Sequence, residues 1–391
     1  MGAPALWFAS SWRALDRARR YAEFELWTEV RGELDRYLRV QSHDPKAHLL
    51  YAEAVLKDGL VPVEEAVPLA LKHLDQIPDG VPESAIARTK EGQILLVELL
   101  RPTAAEKKFR SAIALDPNHL PAWMGLWKLL DQTARSTFAE EAFWKCFELS
   151  PKEDRPLLLR EWYMSQFFPA YANPSMDRAM GIVPENGVVT AESEAKRFQV
   201  FLQTEPESPL GHVCWARWLQ LDRDPMAGLQ WLDEVADKMV GEEQDPFYLA
   251  TVVGTLLERG EFAEAEVLFR QWPADQAKGY EYWLTQAAVL QNIEEKFDEA
   301  IVAYDQALNS WPGQVDWRTR SQRATCLATL GRTEEAERER VRVKKIEELV
   351  QNDVQGRLRK VLEDLSNPET LREVVEFYRS IEREQIGRAH V

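Results

Sequence analysis

Histidine, cysteine and paired carboxylates are the side chains through which this chain could bind a metal or move a proton, and their spacing suits neither task. The closest approach to a ligand pair is His212-x-Cys214. A structural zinc site needs about three or four such ligands, and two residues at this spacing point to different sides of a helix. The other histidines, His43, His48, His73, His119 and His390, are scattered, as are Cys146 and Cys326. Adjacent acids such as Glu242-Glu243 and Glu294-Glu295 fall near expected helix joints, where carboxylates are solvated. General acid–base work needs a partly desolvated cleft instead. No glycine-rich phosphate loop, G-x-S-x-G elbow, H-E-x-x-H or C-x-x-C occurs. These residues predict no catalytic site, no metal site and no cofactor.

The charge is uneven as well as negative. Of the formal net charge of −17, most arises between residues 181 and 312, where 24 acidic residues face 9 basic ones. A nucleic-acid partner requires a basic face that releases counterions from phosphate, so that class is excluded. The acidic excess fits a basic protein partner or a solubilising surface. The three cysteines form no disulfide framework, and a reducing, cytoplasmic setting is expected.

No apolar run reaches the roughly 18–20 residues of a membrane span. Yet Ala5-Leu6-Trp7-Phe8-Ala9 runs straight into Arg13, Arg17, Arg19 and Arg20. That pattern resembles the last turns of a spanning helix with its basic flank. Residues 1–10 are read either as the remnant of a missing membrane anchor or as the start of an amphipathic helix.

What must position any functional surface is a repeating frame of packing residues. Ala105, Phe109, Ala112 and Pro117 recur as Ala139, Phe143, Cys146 and Pro151, each shifted by 34 residues. Apolar residues at i, i+3, i+4 and i+7 spacing dominate, and no useful strand alternation appears. The pairs Asp116-Pro117, Ser150-Pro151, Asp245-Pro246 and Asn367-Pro368 predict helix starts, with a capping side chain and a proline in the first turn. Gly59, Gly260 and Gly331 sit where helices should end.

On those residues the chain resembles the tetratricopeptide repeat family, whose period is about 34 residues. A unit from Leu120 carries Trp123, Leu126, Ala139, Phe143, Cys146 and Pro151. A unit from Pro246 carries Leu249, Val252, Leu256, Gly260, Phe262, Ala265 and Phe269. A unit from Glu281 carries Leu284, Ala287, Ala288, Ala300, Tyr304, Ala307 and Pro312. Weaker units start near Ser11, Pro45, Ile86, Pro209 and Trp317. The alanines let helices approach closely, and the aromatic fills the gap against the next unit. Trp127 stands where the pattern asks for a small residue, so it is either a packing adjustment or an exposed aromatic.

The resemblance implies an all-α, right-handed αα superhelix (a TPR-like solenoid) of about nine helix pairs. The frame breaks between Pro151 and Pro206. The expected layout is a terminal segment 1–10, a first block 11–168 and an irregular loop or hinge 169–190. A second block 191–349 and C-terminal helices 350–391 follow. The basic run Arg338, Arg340, Arg342, Lys344 and Lys345 reads as a solvated helix face or as a partner for the acidic stretch.

The resemblance also implies a concave groove lined by the first helix of each unit. By position it assigns Met124, Lys128 and Gln132 to that groove, then Val213, Arg217 and Gln220. Phe247, Ala250 and Glu258 follow, and Tyr282, Thr285 and Asn292 complete it. Chaperone-binding members clamp a terminal carboxylate with lysines and asparagines. Those positions here hold Met124 with Lys128, Val213 with Arg217, Ala250 with Gly254, and Thr285 with Val289, so no such clamp is expected. The implied function is a non-catalytic scaffold binding a protein or peptide partner, self-association included. The other readings are a membrane-attached assembly or secretion accessory, and an enzyme with an unrecognised cleft.

Overall fold

Alanine where helices must touch, with proline, glycine or aspartate where they must stop or start, gives eighteen α-helices and no strand among the described residues. The computed structural model describes residues 3–167, 191–222, 225–239, 245–310, 316–351 and 372. In chain order the helices are α1 Ala3–Glu23, α2 Trp27–Leu38, α3 Pro45–Lys57, α4 Val63–Asp75, α5 Ser84–Val97 and α6 Pro102–Leu115. Then come α7 Leu120–Gln132, α8 Glu140–Leu149, α9 Arg155–Phe167, α10 Ala191–Thr204, α11 Pro209–Asp222 and α12 Pro225–Glu234. The last are α13 Pro246–Arg259, α14 Phe262–Phe269, α15 Gly279–Asn292, α16 Phe297–Asn309, α17 Trp317–Thr329 and α18 Thr333–Gln351.

Within α1–α6 and α11–α18 each odd-numbered helix packs against the even-numbered one that follows it. The expected insertion at 169–190 and the helices expected near 352–364 and 369–384 lie outside the described residues. So does the cap at Asn367-Pro368. Two compact units divide the described chain, one through Leu129 and the other from Leu130 onward.

Local signals explain several helix ends. Asp245 caps α13 by accepting hydrogen bonds from the Phe247 and Tyr248 amides at 3.0 and 2.9 Å, with Pro246 in the first turn. Gly260 and Gly331 end α13 and α17 in the left-handed region, both at φ 76°. Two expected starts are corrected. Asp116 and Ser150 are the C-caps that follow α6 and α8, because a residue before proline leaves the helical region. Asp116 accepts from the Asn118 amide in a tight turn, and Ser150 Oγ donates back to the Cys146 carbonyl.

The frame's aromatic residues are wedges. In the first unit Phe109 is 1% exposed and pressed between two glycines. A Cβ on Gly92 of α5 would stand 2.7 Å from its ring, and one on Gly125 of α7 would stand 2.4 Å away. Neighbouring first helices can therefore approach Phe109 only because neither carries a side chain there. In the second unit the equivalent Phe143 stacks on Trp162 at 4.4 Å. Ala105, Ala112, Ala139 and Cys146 are all fully buried. Trp127 is 1% exposed, which identifies it as a packing residue.

Free Cys146, Cys214 and Cys326 are buried. Helix α1 runs unbroken from the apolar start into the arginine run, and among the described residues no helix is long and apolar enough to cross a membrane. The basic run on α18 is exposed.

Candidate partner-binding surface

In the second unit α11, α13 and α15 lie side by side, the first helices of three successive pairs. Arg217 of α11 forms an ion pair with Glu281 of α15. Its guanidinium carbon also lies 5.3 Å from the centre of the Phe247 ring on α13. Glu281 is 7% exposed and Phe247 3% exposed. A carboxylate so buried needs a cation and further donors to offset its lost hydration.

Arg217 supplies the cation, and the second donor comes from far away in sequence. Thr137, in the 3-10 turn Ser136–Phe138 that joins α7 to α8, donates its hydroxyl to Glu281 at 2.9 Å. The ring of Phe138 meets that of Phe247 edge-on, at 6.1 Å and 87°. Arg135 brings a second guanidinium within 6.0 Å of the same ring. The Cys214 thiol donates to the Thr133 carbonyl at 3.1 Å. A chain segment thus packs against all three of these helices.

The residues assigned to the groove separate into three groups. Arg217 and Phe247 meet at Glu281, as described. Several others belong to packing between helices. Tyr282 packs against Phe269 and Trp272 at 5.8 and 5.4 Å, in a cluster that includes Ala250. Val213 and Gln132 are buried, and Thr285 is buried with its hydroxyl on the Glu281 carbonyl. Gln220 donates its amide to the Thr255 hydroxyl at 2.6 Å. Met124 is half-buried, while Lys128, Glu258 and Asn292 are exposed.

Glu281, Arg135, Thr137 and Phe138 were not among the residues assigned from sequence. The signal for the last three is a joint that contains a phenylalanine and no glycine. Ala134 takes a left-handed conformation there, at φ 55°. Such a conformation costs a non-glycine residue about 1 kcal/mol and persists only where surrounding contacts impose it.

The isolated histidine is a packing residue too. His212 is 3% exposed, places Nε2 3.1 Å from the Pro206 carbonyl and tilts against Trp231. Burial, the largest influence, holds its pKa below the usual histidine value. Among the described residues no group of three or more histidine, cysteine or acidic side chains could hold a metal ion.

No protein-family model matches the chain, and no curated protein sequence matches it. It is similar to solved tetratricopeptide repeat structures. One is a repeat protein from Parabacteroides merdae, 13% identical over 73% of this chain and 99% of that one, with a TM-score of 0.34. Another is the P58(IPK) TPR domain, 16% identical over 89% of this chain and 96% of that one, with a TM-score of 0.30. A third is the APC/C hetero-tetramer Cut9-Hcn1, 15% identical over 96% of this chain and 71% of that one, with a TM-score of 0.35. The fold class rests on the helix pairs and their 34-residue frame in the chain itself.

Proposed function

We propose that this chain is a non-catalytic protein-interaction scaffold that receives an extended peptide or protein segment along the first helices of its repeats. One observation supports the reading: α13 and α15 already hold a polypeptide segment through an aromatic edge contact and a hydroxyl-to-carboxylate bond. Basic partners remain the class favoured by the acidic stretch of 181–312.

Position-specific photo-cross-linking tests the reading. A cross-linking residue at exposed Glu258 or Asn292, at the ends of first helices, should capture a protein partner from the native source. The same residue at Val302, on the outward face of a second helix and 60% exposed, should capture far less. Equal capture at all three positions sinks the assignment. Reversing Arg217 is not a clean probe, because it would set a second carboxylate beside buried Glu281.

A further inference from the structure

Antiparallel helices of a repeat need a joint of only about 2–8 residues, and joints usually lie on the outer surface. The joint between α7 and α8 instead reaches three helices of later pairs. Thr133 meets Cys214 on α11, Phe138 meets Phe247 on α13, and Thr137 meets Glu281 on α15. All of these lie within the second unit. Each contact is specific in chemistry. The buried Glu281 carboxylate, already paired with Arg217, takes a neutral donor from the Thr137 hydroxyl. An aliphatic residue there would leave the carboxylate short of a donor, and an acidic one would meet it charge to charge. Phe247 offers its face to an aromatic edge and to a guanidinium.

We propose that this face of α11, α13 and α15 is a binding site for a peptide turn presenting a hydroxyl residue followed directly by an aromatic, with an arginine two positions before the hydroxyl. Residues Arg135–Phe138 are its resident ligand, held in cis. The proposal rests on the scaffold reading and names the partner's chemistry. A segment tethered at both ends competes at an effective concentration of about millimolar. Isolated peptides therefore bind the intact chain weakly, and a partner displaces the segment by matching its pattern and adding contacts beyond it.

The test uses the full chain and a fluorescent synthetic peptide with the sequence of residues 131–141. Releasing the resident segment by T137A/F138A should tighten binding of this peptide at least about tenfold over the unaltered chain, read by fluorescence anisotropy. Peptides with the threonine changed to glutamate, or the phenylalanine to alanine, should each bind the released chain about tenfold more weakly. F247A added to the released chain should abolish binding. The milder T137V, which removes only the hydroxyl, serves if the double variant loses helical content, and should show the same direction. No gain in binding by a folded released variant, or equal binding of a scrambled peptide, overturns the proposal. Cross-linking at Glu258 and Asn292 without any peptide binding would overturn this inference alone and leave the scaffold reading standing.

Discussion

The two units treat the surface left by helix pairing in opposite ways. The first keeps a cleft of about 290 Å³ between α3, α4 and α5, lined by Leu56, Val61, Val63 and Ile94 on one side and by Lys90, Gln93 and Glu98 at its edge. Leu60, beside it, is 81% exposed. The second packs its own joint, through Thr137 and Phe138, against the first helices of later pairs. Both units also bury charge. Arg88 pairs with Glu91 at 2.7 Å in the first, and Arg320 with Glu339 at 2.9 Å in the second. The difference lies in the joints. One frame of alanines and aromatics builds both arrays, and the connections between helices decide which surface is left open.

If that contrast is right, frame aromatics and joint aromatics should differ sharply in what they contribute. Phe109→Ala empties a site that Gly92 and Gly125 shape around the ring, and should cost about 3–5 kcal/mol. Phe138→Ala removes a half-buried edge contact and should cost about 1 kcal/mol. Urea denaturation followed by circular dichroism measures both. Similar losses would mean that the joint is as much a part of the core as the frame is.

The sequence shows the helices more clearly than it shows the surface, for a physical reason. Ala105, Phe109 and Ala112 act through packing against adjacent pairs, and adjacency is what a fixed period encodes. Hence the starts at Leu120, Pro209, Pro246 and Trp317 were legible from spacing, and all four are helix starts. The start near Glu281 falls two residues late, since α15 opens at Gly279. Two proline-marked boundaries misled, because Asp116 and Ser150 close one helix and do not open the next. The pairing of Thr137 with Glu281 spans 144 residues and obeys no period. Groove positions carried over from a family frame took in Arg217 and Phe247, which meet at Glu281, and also Tyr282 and Ala250. In this chain the latter two turn into the aromatic cluster that α15 shares with the preceding pair.

A smaller effect sharpens the contrast between the units' charged contacts. Glu281→Gln leaves an acceptor for Thr137 but deprives half-buried Arg217 of its counter-charge, which should cost about 1.5–3 kcal/mol. In the first unit Glu33 pairs with Arg17 at 2.6 Å, where the arginine is more open to water. Glu33→Gln should therefore cost less than about 1 kcal/mol. Denaturation midpoints of the two variants test this ordering, and a larger loss at Glu33 would reverse the comparison.

The smallest expected effect is a pH response that the first unit carries through a pair of imidazoles. His48 places Nε2 2.9 Å from the Ser42 carbonyl, so that nitrogen donates and its Nδ1 accepts. His73 Nδ1, 2.9 Å away, must then be the donor in the contact between the rings. Tyr51 stacks on His73 at 3.9 Å and donates its hydroxyl to Asp35. Burial first, then the neighbouring His48 and Lys72, push the His73 pKa from 6.5 down to about 4, with Asp35 opposing. Because the folded value is the lower one, the unfolded chain binds more protons between these two pH values. Stability is then lost as pH falls through that window. His73→Phe keeps a stacking ring and removes the titration, so its denaturation midpoint should fall less steeply over the same range. An unchanged slope would place the acid sensitivity elsewhere and remove the imidazole pair from what distinguishes the first unit.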